Sequence, residues 1–273
     1  MATPETDGFV RSFARGLSVI EVMGNGTGGH TVASVAAATQ LPRTVARRIL
    51  LTLTQLGFTV ADGKGFRLTP KILNLSMTYL TSLPFWGMAQ GVLEQLCADL
   101  KESAALSVFD GRDVVYLMRV PSAKVRSLRL GVGSHVPAYN TSPGRVLLAW
   151  LDAPALEHYL DSIHMKRYTP QSLTTATELR QSLAAVRAKG FAWVDGEFDV
   201  AFSGLSVPIR DDQGQVVAAL SVNLLAGETT EAKAVKKLLN PMREAADRLR
   251  SIAPTFLGSV VHSTPRQLVL ERS

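Results

Sequence analysis

Apolar side chains recur at helical spacing near the start of the chain. Phe13, Leu17 and Ile20 recur at helical spacing in a segment that stops at Gly24, which predicts a first helix. Residues 32–39 are Ala-rich and helical, Gln40-Leu41-Pro42 breaks the pattern, and residues 43–56 form a longer helix with Val45, Ile49, Leu53 and Leu56 inward. Pro42 falls at the start of that helix, where a missing N–H costs nothing. Two helices joined by so short a break are helix-turn-helix punctuation. Residues 58–60 and 66–68 then read as two short strands around a Gly-rich turn tipped by Lys64, in the place of a wing. Residues 24–29 formally fit G-x-G-x-x-G, but they follow a helix rather than a strand, so they read as a loop and not as a dinucleotide site.

Residues 71–83 are again helical, with Ile72, Leu75, Met77 and Tyr79 apolar, and Leu83-Pro84 marks a boundary. This stretch is a linker helix that offers a dimer contact. A further helix follows over 87–100, with Cys97 on its packed face, and the period then changes to two. Residues 104–109 and 113–120 flank Asp110-Gly111 as a β-hairpin, and 125–130 continue the strand pattern. Helices are expected over 144–151 and 155–160, and Thr175 with Glu178 forms a capping box for a helix closed by Gly190. Strands at 191–194, 205–210 and 216–222 precede a last amphipathic helix carrying Leu238, Met242, Ala245, Leu249 and Ile252. The expected class is α+β with an antiparallel sheet in the second domain. Its divisions are a winged helix-turn-helix over 9–70, a linker helix over 71–86, a second domain over 87–254 and a tail over 255–273.

Composition narrows the class. The chain has 273 residues, 46% of them hydrophobic and 19% charged, with a single cysteine, Cys97. Such a chain builds ordinary cores, and it is neither disordered nor stapled by disulfides. Apolar runs are too short for a membrane span, and the polar start with Glu5 and Asp7 lacks the pattern of a secretory signal, so a cytoplasmic protein is expected. Net charge is +6, and it is uneven: the first 75 residues hold eight basic and four acidic side chains, the other 198 hold 21 and 19. A basic module on a balanced body is the footprint of a polyanion partner.

The outward face of the 43–56 helix says which polyanion. Arg43 and Arg47 lie four apart, as do Thr44 and Arg48, so guanidiniums and a hydroxyl cluster near the helix start, where a recognition helix meets base edges and phosphates. Lys64 and Arg67 on the wing extend this set to double-stranded DNA backbone or minor groove. Material for catalysis is weaker. His30, His135, His158, His164 and His262 have no metal-ligand spacing, and Ser142 lacks the first Gly of a nucleophile elbow, so no catalytic residue, metal or cofactor is assigned. Asp195, Glu197 and Asp199 are close in sequence, yet two of the three are expected to be solvated. Two alternatives stay open: a small-molecule sensor acting through protein contacts, and a small-molecule hydrolase or isomerase.

With both halves read, the sequence resembles the IclR family of bacterial transcriptional regulators over about 9–252. The segments that carry the likeness are 9–20 (FVRSFARGLSVI), 46–53 (ARRILLTL), 137–149 (PAYNTSPGRVLLA), 205–208 (LSVP) and 217–221 (VAALS). Within the family it is most like the branch that regulates aromatic-acid catabolism through the β-ketoadipate pathway, the PcaR, PcaU and PobR type. The resemblance implies a winged helix-turn-helix, a linker helix and a GAF-like effector-binding domain, assembled as a homodimer or homotetramer. It also implies a pocket for a small, aromatic carboxylate effector involving Val125, Leu128, Ser142, Pro143, Asp195, Gly204, Ser221 and Asn223. Ser221 and Asn223 share one face of a strand, where two polar groups fix an oxygen-rich ligand.

The chain departs from that branch in places. A Glu-Leu-Glu run ending in Gly-Leu-Arg-Ser is replaced by 197–204 (EFDVAFSG), so an Arg-Ser pair becomes Ser203-Gly204. Pro143 stands for the usual Met, and Arg126 and Arg129 occupy strand positions usually uncharged. A carboxylate effector calls for a cationic fork, and Arg126, which shares strand parity with Leu128, is the expected one.

Overall fold

The chain divides into two units, Met1–Leu83 and Pro84–Ser273, each with its own buried apolar side chains. The computed structural model describes residues 9–24, 29–63, 65–75, 86–124 and 130–252. The wing residue Lys64, the pocket residues Val125, Arg126 and Leu128, most of the expected linker helix and the tail over 255–273 lie outside the described residues. Of the linker, Pro70–Ile72 is a 3-10 turn and residues 73–75 are helical.

The first unit runs α1 (Arg11–Gly24), α2 (Val32–Thr39), α3 (Arg43–Gln55), β1 (Thr59–Ala61) and β2 (Phe66–Leu68). The Thr31 hydroxyl caps α2 by accepting from the Ser34 N–H at 3.1 Å, and Gln40 ends it in the left-handed region at φ 55°. Pro42 is the N-cap of α3, and its carbonyl accepts from the N–H groups of Val45 and Ala46. The core joins Val19 and Met23 of α1, Val35 and Ala36 of α2, and Ala46, Leu50 and Leu53 of α3. In α1 the helix is as expected, and Ile20 packs against the core beside the buried Val19 and Met23, while Phe13 and Leu17 are 68% and 43% exposed. In α3 Leu53 is buried and Ile49 packs against the core as expected, Ala46 and Leu50 take the most buried positions, and Leu56, past the last helical residue, departs from expectation in being exposed.

The hairpin of β1 and β2 pairs Thr59 with Leu68 and Ala61 with Phe66. A third rung was not foreseen: His30 exchanges both backbone hydrogen bonds with Phe66 at 2.8 Å. Gly65 admits this approach, since a Cβ there would stand 2.8 Å from the His30 carbonyl oxygen.

The second unit begins with α4 (Trp86–Leu100) and a hairpin of β3 (Ser103–Phe109) and β4 (Asp113–Val120). Cys97 is half-buried rather than packed away. β5 (His135–Pro137), α5 (Ser142–Ala149), α6 (Ala153–Ser162) and α7 (Ala176–Lys189) follow, then β6 (Ala192–Asp195), β7 (Phe202–Arg210), β8 (Val216–Leu225) and α8 (Glu231–Ile252). Six antiparallel strands form one sheet in the order β5-β4-β3-β8-β7-β6. Helices α4 and α8 cover one face and α5 covers the other, so β3 is buried along its whole length. The short β5 takes the edge beside β4, a strand the sequence pattern did not announce. The expected capping box is present: the Thr175 hydroxyl accepts from the Glu178 N–H, and the Glu178 carboxylate accepts from the Thr175 N–H.

Helix α5 lies close to the sheet because small residues face it. Gly204 pairs with Asn223, Ser206 with Ser221, and Ser221 with Ala105 across three strands. The Ser206 hydroxyl donates to Ser142 Oγ at 2.8 Å, and a Cβ on Gly204 would come 2.5 Å from that same oxygen. Gly144 is tighter still: a Cβ there would stand 2.1 Å from the Ala138 carbonyl oxygen.

Candidate functional site

In the first unit the exposed side of α3 carries Arg43, Thr44, Arg47 and Arg48. None of the three arginines is in an ion pair among the described residues, so their charge is available to a partner. Pro42 provides no side-chain cap, which leaves the N–H groups of Arg43 and Thr44 open at the positive end of the helix. Arg67 differs from expectation in being engaged: its guanidinium meets Asp62 at 2.6 Å across the wing turn. Lys71 is turned to structure, donating to the Leu56 carbonyl oxygen at 2.8 Å and lying over the Phe58 ring at the end of α3.

In the second unit a cavity of about 360 Å³ opens beside the first turn of α5. Leu130, Val136, Val194, Phe198 and Phe202 give it apolar and aromatic walls. Asn140, Thr141, Ser142 and Pro143 lead into α5, and Ser203, Gly204, Asn223 and Tyr116 rise from the sheet. Of the residues expected there, Ser142, Pro143, Gly204 and Asn223 line it. Asp195 does not line it; its carboxylate accepts from the Ser203 hydroxyl at 2.5 Å. Ser221 is not among its walls either; it lies one rung deeper under α5, with its hydroxyl 3.4 Å from the Ala105 carbonyl oxygen. No cation lines the cavity among the described residues.

Sequence reasoning missed Asn140 and Tyr116 as wall residues. Asn140 is fully buried; its Oδ1 accepts from the Leu173 N–H at 3.1 Å, while its Nδ2 has no partner among the described residues. Asn223 Nδ2 is also buried, and the Asn223 side chain is directed at the Tyr116 hydroxyl on the same wall. A buried N–H group without an acceptor costs about 1–3 kcal/mol, so the Asn140 amide on the cavity wall points to an acceptor that arrives from outside. Burial pushes the Tyr116 hydroxyl up to about 12, against the opposing pull of Arg119 and Asn223, which keeps it a neutral donor near pH 7.

The acidic rim also resolves. Asp195 and Asp199 are exposed, as expected for two of the three carboxylates, and Glu197 is not. Glu197 forms an ion pair with Arg145 of α5, whose side chain is 6% exposed and which also donates through Nε to the Tyr139 carbonyl oxygen at 3.1 Å. Burial pushes the Glu197 carboxyl up and the Arg145 guanidinium down, and the attraction between them opposes both shifts. Thr169 and Ser172 donate to the Glu197 backbone oxygen, so the rim loop is pinned at its main chain as well. The signal for this pair was present in Arg145 and Glu197 themselves, but 52 residues separate them.

Comparison with known proteins agrees with both halves. Residues 12–63 match the IclR helix-turn-helix domain, and residues 77–251 match the bacterial transcriptional regulator IclR C-terminal domain. A Pca regulon regulatory protein of Pseudomonas putida is 36% identical over 241 residues, covering 88% of this chain and 82% of that protein. A p-hydroxybenzoate hydroxylase transcriptional activator of Acinetobacter baylyi is 30% identical over 252 residues, covering 90% and 93%. Among solved structures, an IclR homolog from Microbacterium hydrocarbonoxydans complexed with 4-hydroxybenzoate superposes with a TM-score of 0.75 at 24% identity, covering 89% and 98%.

Proposed function

Because the chain belongs to the IclR family of bacterial transcriptional regulators, we propose that it controls genes of aromatic-acid catabolism in response to a small aromatic carboxylate. The observation that carries this reading is the cavity wall holding the unpartnered Asn140 amide, with Asn223 and Tyr116, beside aromatic side chains. Aromatic walls suit a flat ring, and neutral donors suit carboxylate oxygens. The first turn of α5 adds its positive end. Val125, Arg126 and Leu128 complete this proposed site, with Arg126 as the countercharge. The relatives in Pseudomonas and Acinetobacter, named for the Pca regulon and for p-hydroxybenzoate hydroxylase, support the same ligand class.

DNA is read by Arg43, Thr44, Arg47 and Arg48, with Arg67 and Lys64 steadying the wing on the backbone. The assembly is a homodimer or homotetramer, as paired half-sites require. Its divisions are 9–70 for DNA, 71–86 for the linker and 87–254 for the effector. The test is a thermal-shift screen against protocatechuate, 4-hydroxybenzoate, benzoate, phthalate, terephthalate and β-ketoadipate, followed by operator titration with the best compound. A selective rise in Tm and a changed operator affinity are expected. Absence of a shift with every compound overturns the effector class.

A further inference from the structure

A second cleft, of about 270 Å³, lies between the end of β7 and α8 and shares no wall residue with the first cavity. Arg210, Arg243 and Arg250 line it over a floor of Val207, Pro208 and Ala246, and its lining holds one carboxylate, Asp247. Two of the guanidiniums are fixed in place. Arg210 stacks 4.8 Å from the Trp150 ring centroid and donates to the Gly214 carbonyl oxygen at 2.8 Å; Arg243 donates to the Lys189 carbonyl oxygen at 3.3 Å. Each fixed guanidinium still has further N–H groups to offer. None of the three arginines is ion-paired among the described residues. Burial, and secondarily the charge of Arg250 close by, weaken the hold of Arg210 on its proton.

We propose that this cleft binds a small dianion, a phosphate monoester or a short dicarboxylate, as a second ligand site independent of the aromatic-acid cavity. Three guanidiniums against one carboxylate leave an excess of two positive charges, which a dianion balances and a monoanion does not. The apolar floor lowers the local dielectric and strengthens each contact. Arginines already held by Trp150, Gly214 and Lys189 lose little freedom when the ligand arrives.

The experiment is calorimetric titration of the full-length protein at low ionic strength with inorganic phosphate, pyrophosphate and succinate. Saturable binding of a phosphate species or of succinate is expected, and the stronger of them names the ligand class. Arg243→Ala/Arg250→Ala should weaken that binding by about tenfold or more. Lys236→Ala, which removes a charge elsewhere on α8, should leave it within about twofold. Asp247→Asn should tighten it. No saturable binding of any of the three compounds, or equal affinity in the double variant, overturns the proposal. Circular dichroism of the double variant guards against simple unfolding, and its response to aromatic acids should be unchanged.

Discussion

Single side chains decide how close the elements of the second unit come. Gly144 has no room for a methyl group beside the Ala138 backbone. Gly144→Ala is expected to cost about 3 kcal/mol or more, because backbone on both sides must move. A fall in Tm and in soluble yield checks it. Asn223 makes the opposite point. Its side chain lines the cavity beside Tyr116, so Asn223→Leu should weaken effector binding by about tenfold while lowering Tm by only a few degrees. Isothermal titration separates the two effects. In the first unit, Arg47 has no ionic partner to lose among the described residues. Arg47→Ala should leave folding intact, weaken operator binding and lower the salt slope by about 1.

At the scale of elements, the Arg145–Glu197 pair ties α5 to the rim loop before β7. Glu197→Gln leaves a buried guanidinium without its countercharge, at a cost of about 3 kcal/mol or roughly 6–12 °C in Tm. Arg145→Met/Glu197→Met should lose less than the two single changes summed, which a thermodynamic cycle measures. Elements with their own punctuation were legible in the sequence: α2 and α3 around Gln40-Leu41-Pro42, and α7 between Thr175 and Gly190. Elements defined by a distant partner were not. β5 spans only His135–Pro137, too short for any period, and the His30 rung exists only because Phe66 is beside it. The sequence of α1 holds two apolar lines, and tertiary packing chooses the one with Val19 and Met23. For the pocket, strand parity placed Ser221 and Asn223 on one face. It carried no information on depth, and α5 covers the first while leaving the second open.

For the whole molecule, the division into two units, each with a separate core, has a direct consequence. Residues 84–273 expressed alone should fold and bind the effector with the affinity of the intact chain, while operator binding disappears. Loss of effector binding in that fragment would show that the cavity needs the first unit. The construction of the cavity also bears on how such a protein changes over generations. Gly204 on the cavity wall, and Gly144 behind it in the first turn of α5, tolerate almost nothing larger, whereas the rim runs through 198–202, mostly loop. Inheritance can therefore rewrite the rim without disturbing these glycines. In a selection for response to a new inducer, the surviving variants should cluster between Phe198 and Ser203, with Glu197 and the glycines untouched.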